Sequence, residues 1–169
     1  SIPARLAYGM ISLGIFFKVQ NTTSSIAIAG LAVGLNGLAS ALTVGIRSVF
    51  IDRYGLTWPL RILVPSYAAL IVFFNYANGK ISLITISLIL GAVAPPINLA
   101  VRPLWKIVVP ERKQRAIFAV DTAVMSTAAV IGPVLVTSLA LSDSPKSALN
   151  VCAGAMLLGG VALALLKVT

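Results

Sequence analysis

Charged side chains in this chain are confined to the gaps between long apolar runs, and that placement limits the fold more than any motif does. Six runs, roughly 3–20, 25–50, 60–77, 81–104, 115–140 and 146–167, are each long enough to cross a bilayer. About 20 residues at 1.5 Å rise cover a hydrocarbon core of about 30 Å. A water-soluble domain of 169 residues would not combine 10% charged residues with 59% hydrophobic ones and a mean hydropathy of +1.01. The expectation is an all-α membrane protein, a single six-helix transmembrane bundle over 1–169.

Orientation follows from the basic residues. Arg5, Arg47, Arg53, Arg61, Arg102, Lys106, Arg112, Lys113, Arg115 and Lys167 lie at the termini or near the second and fourth loops, whereas Lys18, Lys80 and Lys146 lie opposite. Ten against three predicts both ends in the cytoplasm of a multi-pass protein of the cell membrane. Trp58 and Trp105, with Tyr54 nearby, suit the same interface as aromatic anchors. The net charge of +9 is read as topology and as affinity for the lipid bilayer's anionic headgroups. Nucleic acid is not an expected partner, because the cations are split among loops without interleaved aromatics.

Enzymatic chemistry finds no footing. The chain has no His, one Cys and four acids. No catalytic residues, metal site or cofactor are therefore expected. The glycines of the second run lack the preceding strand that a dinucleotide site requires. Cys152 lies inside the sixth run and is expected to pack. Asn21-Thr22-Thr23 fits a glycosylation pattern but falls in an expected short loop against the bilayer. Ser144 before Pro145 is expected to cap the sixth helix, Thr57 to start the third, and Pro110-Glu111 to open a short cytoplasmic helix. A first residue that is not Met and a stop just past the sixth run suggest a piece of a longer protein.

The helices carry interruptions. Gly30, Gly34, Gly37, Ala41 and Gly45 leave one face of the second helix almost bare, which lets a neighbour approach closely. Pro95-Pro96 in the fourth helix and Gly132-Pro133 in the fifth are expected bends. Carbonyls freed there need partners, so the bends should face protein or a water-filled cavity.

Taken with the helix count and short loops, two stretches carry a family resemblance. Ser48-Val49-Phe50-Ile51-Asp52-Arg53-Tyr54-Gly55 resembles the signature loop G-x-x-x-D-R-x-G of the major facilitator superfamily. Arg102-Pro103-Leu104-Trp105-Lys106-Ile107-Val108-Val109-Pro110, then Arg115-Ala116, Asp121 and Gly132-Pro133, resembles the ordered pattern of a bacterial, actinobacterial-type branch that includes candidate exporters. The likeness spans the chain and implies the amino-terminal half of a twelve-helix secondary transporter. Its partners would be a carboxy-terminal six-helix half, a small neutral or weakly charged solute for efflux, and protons as a candidate coupling ion. Four positions depart from the pattern: Ser48 replaces its first glycine, Leu56-Thr57 its basic pair, and Ser126 a glutamate.

Intramembrane charges are costly and usually paired. Asp52, Arg102 and Asp121 are expected at similar depth near the cytoplasmic face. The resemblance implies that Asp52, Arg53, Gly55, Arg102 and Asp121 form a cytoplasmic gate, with Arg102 pairing to Asp52 or Asp121. Headgroup solvation is the alternative for each charge, and a proton-carrying role is a further one for Asp121. The resemblance also implies that helices one and four line a central cavity. Tyr8 and Ser12, four apart on one face, are candidates to line it, as are Asn36, which interrupts the second helix, and Asn98 beside the double proline. Helix–helix hydrogen bonding is the other reading for these residues. A non-transporting six-helix scaffold or assembly protein is the alternative function.

Overall fold

A computed structural model describes residues 2–55, 57–95, 109–142 and 145–165. All regular structure among them is helical: α1 (Ile2–Thr23), α2 (Ile26–Tyr54), α3 (Thr57–Tyr76), α4 (Lys80–Val93), α5 (Glu111–Ser142) and α6 (Pro145–Leu165). By length and composition α2, Trp58–Tyr76 of α3, and α5 can cross a membrane. Six crossing runs were expected. The described part of α4 stops at 14 residues, and α1 spends positions on Arg5, Lys18, Gln20 and Asn21.

Several boundaries differ from the sequence reading. Asn21-Thr22-Thr23 belongs to the last turn of α1 rather than to a loop, with Thr22 Oγ1 and Thr23 Oγ1 each donating 2.8 Å to the carbonyls of Lys18 and Val19. Ser25 caps α2, its side chain accepting from the Ile28 N–H at 3.3 Å. Asn36 does not interrupt α2, which runs through it to Tyr54, so Asp52 and Arg53 sit on the helix and only Gly55 leaves it. Gly55 has φ 74°, a left-handed conformation that glycine adopts without strain. Glu111 opens the long α5 directly, where a short helix was expected to start. Ser144 and the Trp105 anchor lie outside the described residues, while Trp58 is exposed.

α1 runs through the middle of the bundle, packed against α2, α5 and α6, while α3 packs on α6 and α4, and α2 on α4. The core faces follow helical spacing. Leu60, Val64, Tyr67, Ile71 and Phe74 from α3 meet Ala148, Leu149, Cys152 and Met156 from α6, with Met10, Ile15 and Val19 of α1 between. Cys152 Sγ lies 3.3 Å from the Ala7 carbonyl, closing the α1–α6 contact.

The pairing repeats when helix order is shifted by three. α1 packs on α5 as α4 packs on α2, and α1 on α6 as α4 on α3. The first pair shares a close approach. Gly9 meets the Ala128 carbonyl, where a Cβ would come within 2.6 Å, and Gly91 meets the Asn36 carbonyl in the same way. Gly132 faces Gly9 from the other side, with a Cβ position 2.8 Å from the Gly9 carbonyl carbon. Only glycine lets these backbones touch.

α2 and α5 contribute little to the core: 22% and 17% of their apolar windows are buried. Leu31, Leu38, Leu42, Ile46 and Phe50 of α2, and Val120, Val130, Val134 and Leu141 of α5, are exposed. Surfaces this apolar suit lipid or another protein better than water. The small-residue stripe of α2 faces outward too. A Cβ at Gly30, Gly34, Gly37 or Gly45 would meet nothing within 4 Å, so the tight approach expected there is found at Gly9, Gly91 and Gly132 instead.

Candidate functional site: a polar cavity beside a broken helix

Pro95 breaks α4. The helix ends at Val93, and Pro95, which is buried, lies beyond it; Pro96 is outside the described residues. Proline at 95 and 96 removes the N–H groups that would have bonded the carbonyls of Gly91 and Ala92. Each exposed carbonyl has acquired a partner. The Ala94 N–H donates to Gly91 O at 3.4 Å and Thr43 Oγ1 to Ala92 O at 3.2 Å. Arg47 Nη1 donates to Ala94 O and the Tyr8 hydroxyl to Pro95 O. The break thus faces protein, which satisfies backbone groups that lipid could not. At Pro133 the outcome is different: α5 continues through it to Ser142, and Gly132 serves the contact with Gly9. Pro65 inside α3 is a further helical proline that pattern reading passed over.

Arg47 is the residue that sequence position misplaces. It was counted among loop cations, yet it is 9% exposed and turned into the bundle. Its Nε donates to Thr43 O at 3.3 Å, and Nη2 to Ser40 O at 2.6 Å and Ser40 Oγ at 3.2 Å. Among the described residues it has no carboxylate partner. The missed signal is a polar stripe on α2, Asn36, Ser40, Thr43 and Arg47, whose four- and three-residue spacing puts all of them on one face. That face meets α4, where Asn36 Nδ2 donates 2.9 Å to Ser87 O.

A partly open cavity of about 390 Å³ lies between α1, α2 and α3, roughly midway along α1 and α2. Tyr8, Ser12, Asn36, Ser40, Tyr67 and Ala94 are among its walls. The structure therefore brings Tyr8, Ser12 and Asn36 together, while Asn98 lies outside the described residues. Tyr67 is 1% exposed and stacks on Tyr8 with ring centroids 6.4 Å apart.

The charge cluster includes a pair that the sequence reading did not name. Asp121 is buried and pairs with Arg5 of α1, Nη2 to Oδ1 at 2.6 Å, while Arg5 Nη1 donates to the Asp121 carbonyl at 3.1 Å. Arg102 lies outside the described residues. Asp52, Arg53 and Gly55 are exposed at the end of α2, with Arg53 5.9 Å from the Tyr54 ring centroid. Among the described residues no ion pair joins that end to Asp121. Beside Arg5 and Tyr8, a second cavity of about 220 Å³ reaches Met125 and Ala129. At the other end of the bundle, Asn75 Nδ2 donates to Asn150 Oδ1 at 2.9 Å and to Lys146 O at 3.1 Å. Lys18 is also buried.

Sequence comparison with family models and with characterised proteins, and comparison with solved structures, finds no match to this chain.

Proposed function

We propose that the chain is a six-helix transmembrane bundle forming one half of a secondary transporter of the major facilitator type, working by alternating access in the cell membrane. Both ends would be cytoplasmic, and a second six-helix half would complete the path. The observation that carries this reading is the mid-bundle cavity walled by a broken helix. Transporters place solute sites where discontinuous helices meet near the midplane, and tolerate irregular backbone only where it lines such a cavity. The repeat of helix pairing by three, with Gly9 and Gly91 in corresponding contacts, supports it. Internal repeats of inverted topology are common in these folds. The outward-facing glycine stripe and apolar surface of α2 supply a face for the second half.

The gate gains a member: the Arg5–Asp121 pair is an inter-helix tie at the cytoplasmic end of α1 and α5, beside the pairing of Arg102 with Asp52 or Asp121 that the resemblance implies. The test is solute flux through the full-length protein in proteoliposomes. Saturable flux that stops when a cysteine at Ser12 is blocked by a thiol reagent is expected. Leak no faster than in protein-free vesicles would favour the non-transporting scaffold.

A further inference from the structure

Resting on the transport reading, we infer that the cavity between α1, α2 and α3 binds a small organic solute through a single negative charge, a monocarboxylate being the fitting chemistry. The reason is the charge beneath it. Arg47 sits behind the wall formed by Ser40 and Ala94, bonded to both and buried. Its partners are carbonyls and one hydroxyl. They satisfy the guanidinium's hydrogen bonds without cancelling its charge.

Among the described residues no acid cancels it. Asp121 is engaged by Arg5, while Asp52 and Glu111 are exposed. The carboxy end of α4, which Arg47 caps, supplies the equivalent of about half a negative charge. About half a positive charge therefore remains under a cavity of low dielectric. A monoanion balances it, whereas a dianion overshoots and pays desolvation without a second cation.

The cavity wall offers the matching donors. Ser40 Oγ accepts from Arg47 Nη2, so its own hydrogen is free for another acceptor and is made more acidic by the guanidinium. Tyr67, 1% exposed, brings a second hydroxyl-bearing side chain to the cavity wall. Ser12 adds a third hydroxyl. Tyr8 has committed its hydrogen to Pro95 O and offers an aromatic face stacked on Tyr67. Ile11, Ala41 and Val44 leave room for an apolar body, and about 390 Å³ falls within the range of small-molecule sites. The expectation of a neutral or weakly charged solute is thereby narrowed to a singly charged anion.

Equilibrium binding to the purified full-length protein tests the inference with five probes. Benzoate and lactate should bind about tenfold or more tightly than benzamide and lactamide, the value of a hydrogen bond to a charged group. Phthalate, with two charges, should bind more weakly than benzoate. Substitution of Arg47 strips partners from the α4 break, so milder variants carry the test. Ser40→Ala and Tyr67→Phe should each weaken benzoate binding about tenfold, leave benzamide unchanged, and leave the melting temperature within a few degrees of wild type. Equal affinity for acids and amides, no binding of either acid, or insensitivity to both variants would overturn the site. Anion-selective binding without flux in proteoliposomes would keep the site and remove the transport reading. Saturable flux of neutral solutes without anion selectivity would do the reverse.

Discussion

Two buried cations are held in opposite ways, and the difference predicts how each responds to substitution. Arg5 is neutralised by a carboxylate, whereas Arg47 is held by carbonyls at a helix break. Arg5→Gln should strip buried Asp121 of a charged partner and destabilise by about 3 kcal/mol or more. Adding Asp121→Asn should recover part of that loss, as measured by chemical unfolding in mild detergent. Arg47→Met should cost about 1–3 kcal/mol for each carbonyl left dry. Exposed Arg112→Ala should fall within about 0.5 kcal/mol of wild type. Equal effects at positions 47 and 112 would mean that Arg47 is solvated at the interface after all.

Among the elements, the glycines separate into two classes that their sequence spacing does not distinguish. Gly9, Gly91 and Gly132 touch backbone, so alanine at any of them should push apart α1 from α5 or α2 from α4. A cost of about 1–3 kcal/mol is expected from overpacking. Gly34→Ala and Gly45→Ala face open space and replace a poor helix former, so the isolated chain should be unchanged or gain up to about 1 kcal/mol. Thermal unfolding of the five variants side by side checks the contrast. A loss at Gly34 equal to that at Gly91 would contradict it.

This contrast also marks what could be read from the sequence. The apolar runs announced six helices, of which α2, Trp58–Tyr76 of α3 and α5 are long and apolar enough to cross a membrane, and Pro95-Pro96 announced the break because proline lacks the N–H. Tyr8, Ser12 and Asn36 could be proposed for one cavity from helix position. Azimuth was harder. The α2 glycines showed where a helix could approach, not whether one does, and the glycines that pack lie singly on α1, α4 and α5. Arg5, a partner of Asp121, lies 116 residues away on a helix where it looked like a terminal topology signal. Arg47 could have been placed from the Asn36–Ser40–Thr43–Arg47 stripe, since depth along a helix fixes neither burial nor direction.

At the scale of the whole molecule, the account requires a bundle that spans the bilayer with its charged loops inside and a cavity served from both sides. Orientation is tested by single cysteines at Lys80 and Lys113 in a Cys152→Ser background; both native lysines are exposed. An impermeant thiol reagent on intact cells should label position 80 and spare 113, and the reverse would invert the topology. Alternating access is tested most directly at Ser12, which lines the cavity and is exposed. In the full-length protein carrying Ser12→Cys and Cys152→Ser, the same reagent should react from outside on intact cells and from inside on inverted vesicles. Added benzoate should slow both reactions. A cysteine at position 12 that reacts from one side only, or from neither, would contradict the claim that this cavity is a transport path.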